Sequence, residues 1–255
     1  MKKLIILPFL VLPFALICCR KEIKSEKGGI DIISNVYYDA SKGLNKMQNF
    51  HLSKMNYSGD QLLELVPDLA FPEINKQLYY IKDSLCYSLG TESSNIILSD
   101  IFNKQKPLLI WNKKEGAIFS KEWIPNYRNR RSLSDTILFN KKYKRFEINS
   151  PWNYSRFYIY PSDTILPYSL YKHAEKDYHG RLERIDSYNK KNDIFVTLQL
   201  IPRKNWDSEA KEIFEFNHFV KNRKKVNDQE FFNETIDDIS VIEGDKKELI
   251  VFHKQ

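Results

Sequence analysis

A chain of 255 residues with 42% hydrophobic and 14% aromatic side chains can bury one sizeable core, which excludes global disorder. Eight glycines exclude collagen-like and glycine-rich repeats, while 15 tyrosines and 16 phenylalanines favour strands. A formal net charge of +7 on a chain that is 29% charged is a mild basic excess, which bears on solubility rather than on fold.

The chain opens with Met1-Lys2-Lys3 and continues through the uncharged run Leu4 to Ile17. As a helix that run spans about 21 Å, short of the ~30 Å hydrocarbon core of a bilayer. Pro8 and Pro13 also interrupt it. A short positive segment and a short apolar segment form the pattern of an export signal. It ends Leu16-Ile17-Cys18-Cys19 and turns polar at Arg20-Lys21-Glu22. This junction resembles the lipobox of bacterial lipoproteins, in which an aliphatic residue stands three places before the acylated cysteine. Cys19 fits, with Leu16 in that place. Cys18 fits less well, with Ala15 there, and it occupies a position where Gly, Ala or Ser is usual. The resemblance covers about the first 22 residues. It implies that residues 1–18 are a removed signal peptide and that Cys19 carries a thioether diacylglycerol and an N-acyl chain. Several chains suit stable anchoring, because each buried methylene contributes only about 0.8 kcal/mol. The implied address is a membrane of the cell envelope. Surface-exported lipoproteins of Bacteroidota resemble one another in acidic residues after the acylated cysteine. Here Arg20, Lys21 and Lys24 face only Glu22, which points to an outer-membrane anchor with the domain facing the periplasm.

Residues 19–29 read as a flexible charged tether ending in Gly28-Gly29, and 30–255 as a single globular domain. A short helix is expected after Asp60, through Gln61 to Leu65, ending at Pro67. A second helix is expected from Pro72, with Ile74, Leu78, Ile81 and Leu85 on one face and Gly90 as the stop. The run Leu78-Tyr79-Tyr80-Ile81 fits a strand as well. Cys86 is the one cysteine outside the signal junction, so no disulfide framework is expected, and its apolar setting predicts a buried thiol. Strands are expected at 108–111, 156–160, 194–200 and 249–252. A third helix is expected over 208–224, capped by Asp207 or Ser208, with Glu209 and Glu212 at its start and Lys221, Arg223 and Lys224 at its end. Glu243 to Lys246 suggests a closing hairpin turn. Together these elements predict an α+β fold, mainly an antiparallel sheet with two or three helices. The pentapeptide Ser134-Asp135-Thr136-Ile137-Leu138 recurs as Ser162-Asp163-Thr164-Ile165-Leu166, read as two similar strands with a duplicated hairpin as the alternative. Tyr178-His179-Gly180-Arg181-Leu182 resembles a lone YD-repeat unit without its Asp, and nothing is carried over from it.

Chemical motifs are sparse. The sequence lacks Gly-x-Ser-x-Gly, His-Glu-x-x-His, a Walker loop, Gly-x-Gly-x-x-Gly and a Cys-x-x-Cys pair. Ser-x-x-Lys occurs at Ser169–Lys172, Ser187–Lys190 and Ser208–Lys211, about as often as chance supplies it, without its companion motifs. His173, Glu175, Asp177 and His179 would share one side of a strand and could gather a divalent metal, although the intervening residues make no core face and favour an exposed arm. Arg128, Arg130 and Arg131 form the strongest basic patch, a weak candidate for lipid headgroups or lipopolysaccharide rather than nucleic acid. Asp83-Ser84-Leu85, Asp135-Thr136-Ile137 and Asp163-Thr164-Ile165 look like the Asp-Ser/Thr-aliphatic signal for O-glycosylation in Bacteroidota, with Ser84 expected on the second helix. No cofactor is expected. The function these features favour is a non-enzymatic binding or interaction domain on a lipid tether, with an unknown protein or glycan partner. The alternatives are a hydrolase of envelope polymers and a toxin-immunity or accessory lipoprotein.

Overall fold

A computed structural model describes residues 22–45, 49–68, 70–71, 76–91 and 96–225. The expected signal with Cys18 and Cys19, the strand at 249–252 and the turn at 243–246 lie outside those residues. In chain order the strands are β1 (Ile23–Lys24), β2 (Lys27–Tyr37), β3 (Asn49–Ser58), β4 (Gln61–Pro67), β5 (Lys76–Lys82), β6 (Leu85–Gly90), β7 (Leu108–Leu109), β8 (Arg131–Leu138), β9 (Lys141–Asn149), β10 (Asn153–Pro161), β11 (Thr164–Ile165), β12 (Gly180–Asn189) and β13 (Ile194–Arg203). The helices are α1 (Leu98–Lys104), α2 (Lys172–Tyr178) and α3, over residues 208–225. Eleven strands form one antiparallel sheet in the order β7-β6-β5-β4-β3-β2-β13-β12-β10-β9-β8. The expected α+β class is what the chain adopts. Two runs of neighbouring strands meet where β13 pairs with β2, Arg203 opposite Gly29 and Phe195 opposite Tyr37. β1 and β11 make a separate parallel pair.

Both faces of the sheet are covered around β4–β6, which decides how their sequence reads. One face carries Ile32, Met55, Leu62, Tyr79, Ile81 and Cys86, continued by Phe146 and Phe157, under the 110–127 segment and α2. The other carries Leu63, Leu65, Leu78, Tyr80 and Tyr87 under α1 and α3, through Leu98, Ile101, Ala210, Ile213 and Phe214. A strand buried on both faces shows a continuous apolar run instead of alternation. So Leu62 to Leu65 and Leu78 to Ile81, expected as helices, are strands β4 and β5. Residues 72–75 of the second expected helix lie outside the description, and Leu85 begins β6. The strand expected over 108–111 shortens to β7, and Ile110–Asn112 turns into a 3-10 helix.

Two further expectations are corrected. Residues 23–24 and 27–29, read as tether, are strands in the fold. Gly28 is there for close packing, since a Cβ on it would lie 2.5 Å from Tyr57 Oη and 2.6 Å from the Arg203 carbonyl oxygen. Asp83 and Ser84, expected on a helix, form the β5–β6 turn with φ of 50° and 66°, both exposed. The echoed pentapeptides serve different pairings. The first lies in edge strand β8, and the second contributes β11 to the parallel pair, so no hairpin is duplicated.

The helix expected at 208–224 is found at 208–225, where the Ala210 amide donates to Asp207 Oδ1 at 3.1 Å. Cys86 is a buried free thiol, pushed up to about 11 by that burial. A thiol reagent at pH 8 is therefore expected to leave Cys86 unlabelled in the native protein and to modify it once urea unfolds the chain. Labelling at the unfolded rate under native conditions would contradict this setting.

Candidate functional site

On the sheet face shared by β2, β3, β4 and β13 lies a cavity of about 720 Å³. Its sheet wall comprises Ile32 and Ser34 from β2, His51 and Ser53 from β3, Val66 from β4, and Val196 and Leu198 from β13. These residues fall on one side because side chains alternate along each strand and the registers align them, Ile32 opposite Ser53 and Val196 opposite Val36. The facing wall is the segment from Lys114 to Ile118 with Tyr168 and Leu170. The exposed lining residues include His51, Asp68, Thr91, Lys114 and Glu115, whereas Tyr168 and Leu170 are buried. The site thus pairs an apolar interior with a polar, charged rim.

The facing wall is fastened to the sheet by a buried charge. Glu64, in the middle of β4, is 0% exposed and pairs with Lys113, whose side chain is 1% exposed. The same carboxylate accepts from Ser53 Oγ at 2.6 Å and from the Ala117 amide. Gly116 makes this approach possible. Its φ is +74°, and a Cβ there would fall 2.2 Å from Glu64 Oε1. The Lys113 ammonium lies 5.1 Å from the centre of the Tyr79 ring and 5.7 Å from that of Phe119. Burial, followed by the nearby Glu115 carboxylate, pushes the Tyr79 hydroxyl up to about 12. Tyr168 donates to the Ile118 carbonyl at 2.8 Å, and burial raises its hydroxyl well above the ordinary value. With three donors on Glu64 and Lys113 committed to it, the pair acts as a clamp on the cavity wall rather than as an acid–base couple.

The residues proposed from sequence are placed elsewhere. His173, Glu175, Asp177 and His179 fall in and just after α2, a helix and not a strand, so alternate residues diverge instead of sharing a side. His173 stacks on Trp123 with centroids 4.4 Å apart, and its Nε2 faces the Ile124 amide at 3.5 Å. Burial lowers the His173 pKa, opposed by the Asp177 carboxylate. Glu175 accepts from the Leu182 amide at 2.9 Å, and burial raises its carboxyl. His179 ends the helix in the left-handed region. Among the described residues, no group of three or more His, Cys, Asp or Glu is placed to share a metal ion.

The basic patch is likewise drawn into internal pairs. Arg130 bonds Asp177 at 3.1 Å and lies over the Tyr127 ring, and Tyr127 donates to the same carboxylate at 3.0 Å. One member of the basic patch and one of the acidic cluster thus neutralise each other. Arg131 pairs with Glu147 on the opposite sheet face, where a hydrogen bond from Tyr154 first, and the Arg131 and Arg156 guanidiniums beside it, hold that carboxyl below its usual range. Arg128 remains exposed. Of the described cavity residues, none was singled out by motif. The one signal for Glu64 was a lone carboxylate inside Leu62-Leu63-Glu64-Leu65-Val66, a position that a buried chain tolerates only with a partner.

No protein-family model matches the chain, and no curated protein matches it. Among solved structures, one of PNGF-II aligns with a TM-score of 0.28 and 7% identity, over 72% of this chain and 29% of that one. A likeness that slight carries no argument about fold or function.

Proposed function

We propose that this is a lipid-anchored protein of the cell envelope that binds an amphipathic small molecule in the β2–β3–β4–β13 cavity. The cavity itself is the observation that carries the reading. Its volume of about 720 Å³ lies within the roughly 300–1,000 Å³ usual for small-molecule sites, and its interior is apolar with polar groups at the rim. Ile32, Val66, Val196 and Leu198 suit a hydrocarbon or ring body. The side chains of His51 and Lys114 make no ion pair or hydrogen bond with the described residues, and they suit a polar head. The anchor follows from the lipobox-like junction at Cys19, and among the described residues no helix is long and apolar enough to cross a membrane.

The test uses 8-anilinonaphthalene-1-sulfonate, an apolar ring system with one anionic group. The wild-type protein is expected to give saturable fluorescence enhancement with a micromolar Kd. Val196→Trp fills the cavity and is expected to weaken binding about tenfold or more, while circular dichroism confirms the fold. Enhancement that does not saturate, or a folded Val196→Trp variant with unchanged affinity, would remove the proposal. Intact mass of the protein from its host tests the anchor: a mass equal to the polypeptide from Cys19 plus acyl groups is expected.

A further inference from the structure

The end of the sheet from which the N-terminus emerges carries unusual exposed apolar residues. The β8–β9 turn consists of Phe139 and Asn140, with φ of 51° and 59°. Two-residue turns of this kind take Asn, Asp and Gly, because bulky side chains avoid positive φ. Phe139 nevertheless occupies the first position and is 70% exposed, beside Ile137 on the edge strand at 71%. Exposure there leaves the phenyl ring without a core to account for it.

The register places this turn relative to the chain's entry. Leu138 faces Lys141 across the turn, and the start of β9 runs beside the end of β10, Lys144 opposite Ile159. The end of β10 meets the start of β12, Pro161 opposite Gly180. The end of β13 meets the start of β2, Arg203 opposite Gly29. Phe139 and the first residues of the fold therefore lie at the same end of the sheet. The β1–β11 pair stands there too, and it presents Ile23 at 56% exposure and Ile165 at 39%.

The length of chain beyond the fold limits what can cover this end. Four residue steps separate Cys19 from Ile23, at most about 14 Å when fully extended. If Cys19 carries acyl chains, Ile23 is held that close to the glycerol level of the bilayer. A contact between two tethered surfaces then forms at high effective concentration and needs little affinity of its own. Beside the turn, Lys141 pairs with Glu183 at 3.0 Å and Lys142 with Asp135 at 3.1 Å, which leaves the exposed apolar side chains as the groups offered for insertion. We infer that this end of the sheet docks on the bilayer that holds the anchor, with Phe139, Ile137, Ile23 and Ile165 inserted at the interface. The inference rests on acylation of Cys19.

The experiment uses the full chain as purified from membranes, reconstituted into phosphatidylcholine–phosphatidylethanolamine vesicles with and without bromine on the acyl chains. The Phe139→Trp variant reports on the turn, and Ile137→Trp is a second reporter. Both replace exposed side chains, so folding is preserved. The added indole emission is expected to shift to the blue and to lose about half its intensity or more in brominated vesicles. That loss should persist at high salt, since apolar contact is not screened. Trp152 lies in the β9–β10 turn at the opposite end and is 62% exposed. Trp152→Phe is expected to leave the quenching unchanged. Acylated protein whose added indole is unquenched, or whose quenching vanishes with Trp152→Phe, overturns the docking inference and leaves the anchor intact. A polypeptide mass without acyl groups overturns the anchor and the docking together.

Discussion

Glu64→Ala is expected to destabilise the protein by about 3–5 kcal/mol, the cost of leaving the partner of a buried ion pair without its counter-ion. The Lys113 side chain is 1% exposed and has its ammonium directed at this carboxylate, so water cannot take over the role. The Ala117 amide and the Ser53 hydroxyl lose their acceptor as well. The urea midpoint should fall while the slope of the transition is kept. Replacing both charges, Glu64→Leu with Lys113→Met, is expected to recover most of the loss, because two apolar groups of similar volume need no partner. A midpoint unchanged by Glu64→Ala would mean that the charge is solvated. The clamp also fixes the 114–118 wall, so the single variant should weaken binding of the anilinonaphthalene probe when assayed below its unfolding midpoint. The double variant should weaken it as well, since restored stability does not restore the hydrogen bond to Ala117.

Phe146→Ala is expected to cost about 3–5 kcal/mol, the range for truncating a buried aromatic. Its ring is fully buried, parallel to Phe157 at 4.6 Å and to Tyr178 at 4.8 Å, with Tyr127 edge-on at 5.7 Å. These contacts tie β9 to β10, to the end of α2 and to the 127–129 turn, so the vacancy touches three elements and cannot collapse around one. Ile137→Ala on the neighbouring edge strand removes an exposed side chain and should change stability by no more than about 0.5 kcal/mol in the absence of membrane. Equal effects of the two substitutions would contradict the packing described. Loss of Phe146 is also expected to loosen the Tyr127–Asp177–Arg130 group, detectable as faster amide exchange across α2.

What sequence alone determined were the features written in short-range chemistry. The proposed export signal and its cysteine rest on hydrocarbon length and one junction alone, outside the described residues. Strands β10 and β13 are read from short runs rich in β-branched and aromatic residues, and Asp207 caps α3 from the preceding position. The burial of Cys86 follows from its apolar neighbours, and the α+β class follows from the sum of such segments. Tertiary structure decided the rest. β4 and β5 lost their alternation because α1 and α3, distant in sequence, cover the face that would otherwise be wet. Gly28 and Gly29 read as tether because nothing local reveals that Tyr57 and Arg203 press against them. Arg130 and Asp177 read as two separate sites because 47 residues part them, and only folding turns them into one pair. The cavity and its Glu64–Lys113 clamp are assembled from separated stretches of chain that include β2, β3, β4, β13 and residues 113–118 and 168–170. Local patterns record which side of a residue is dry, whereas sites record which residues meet, and that depends on contacts that close long loops.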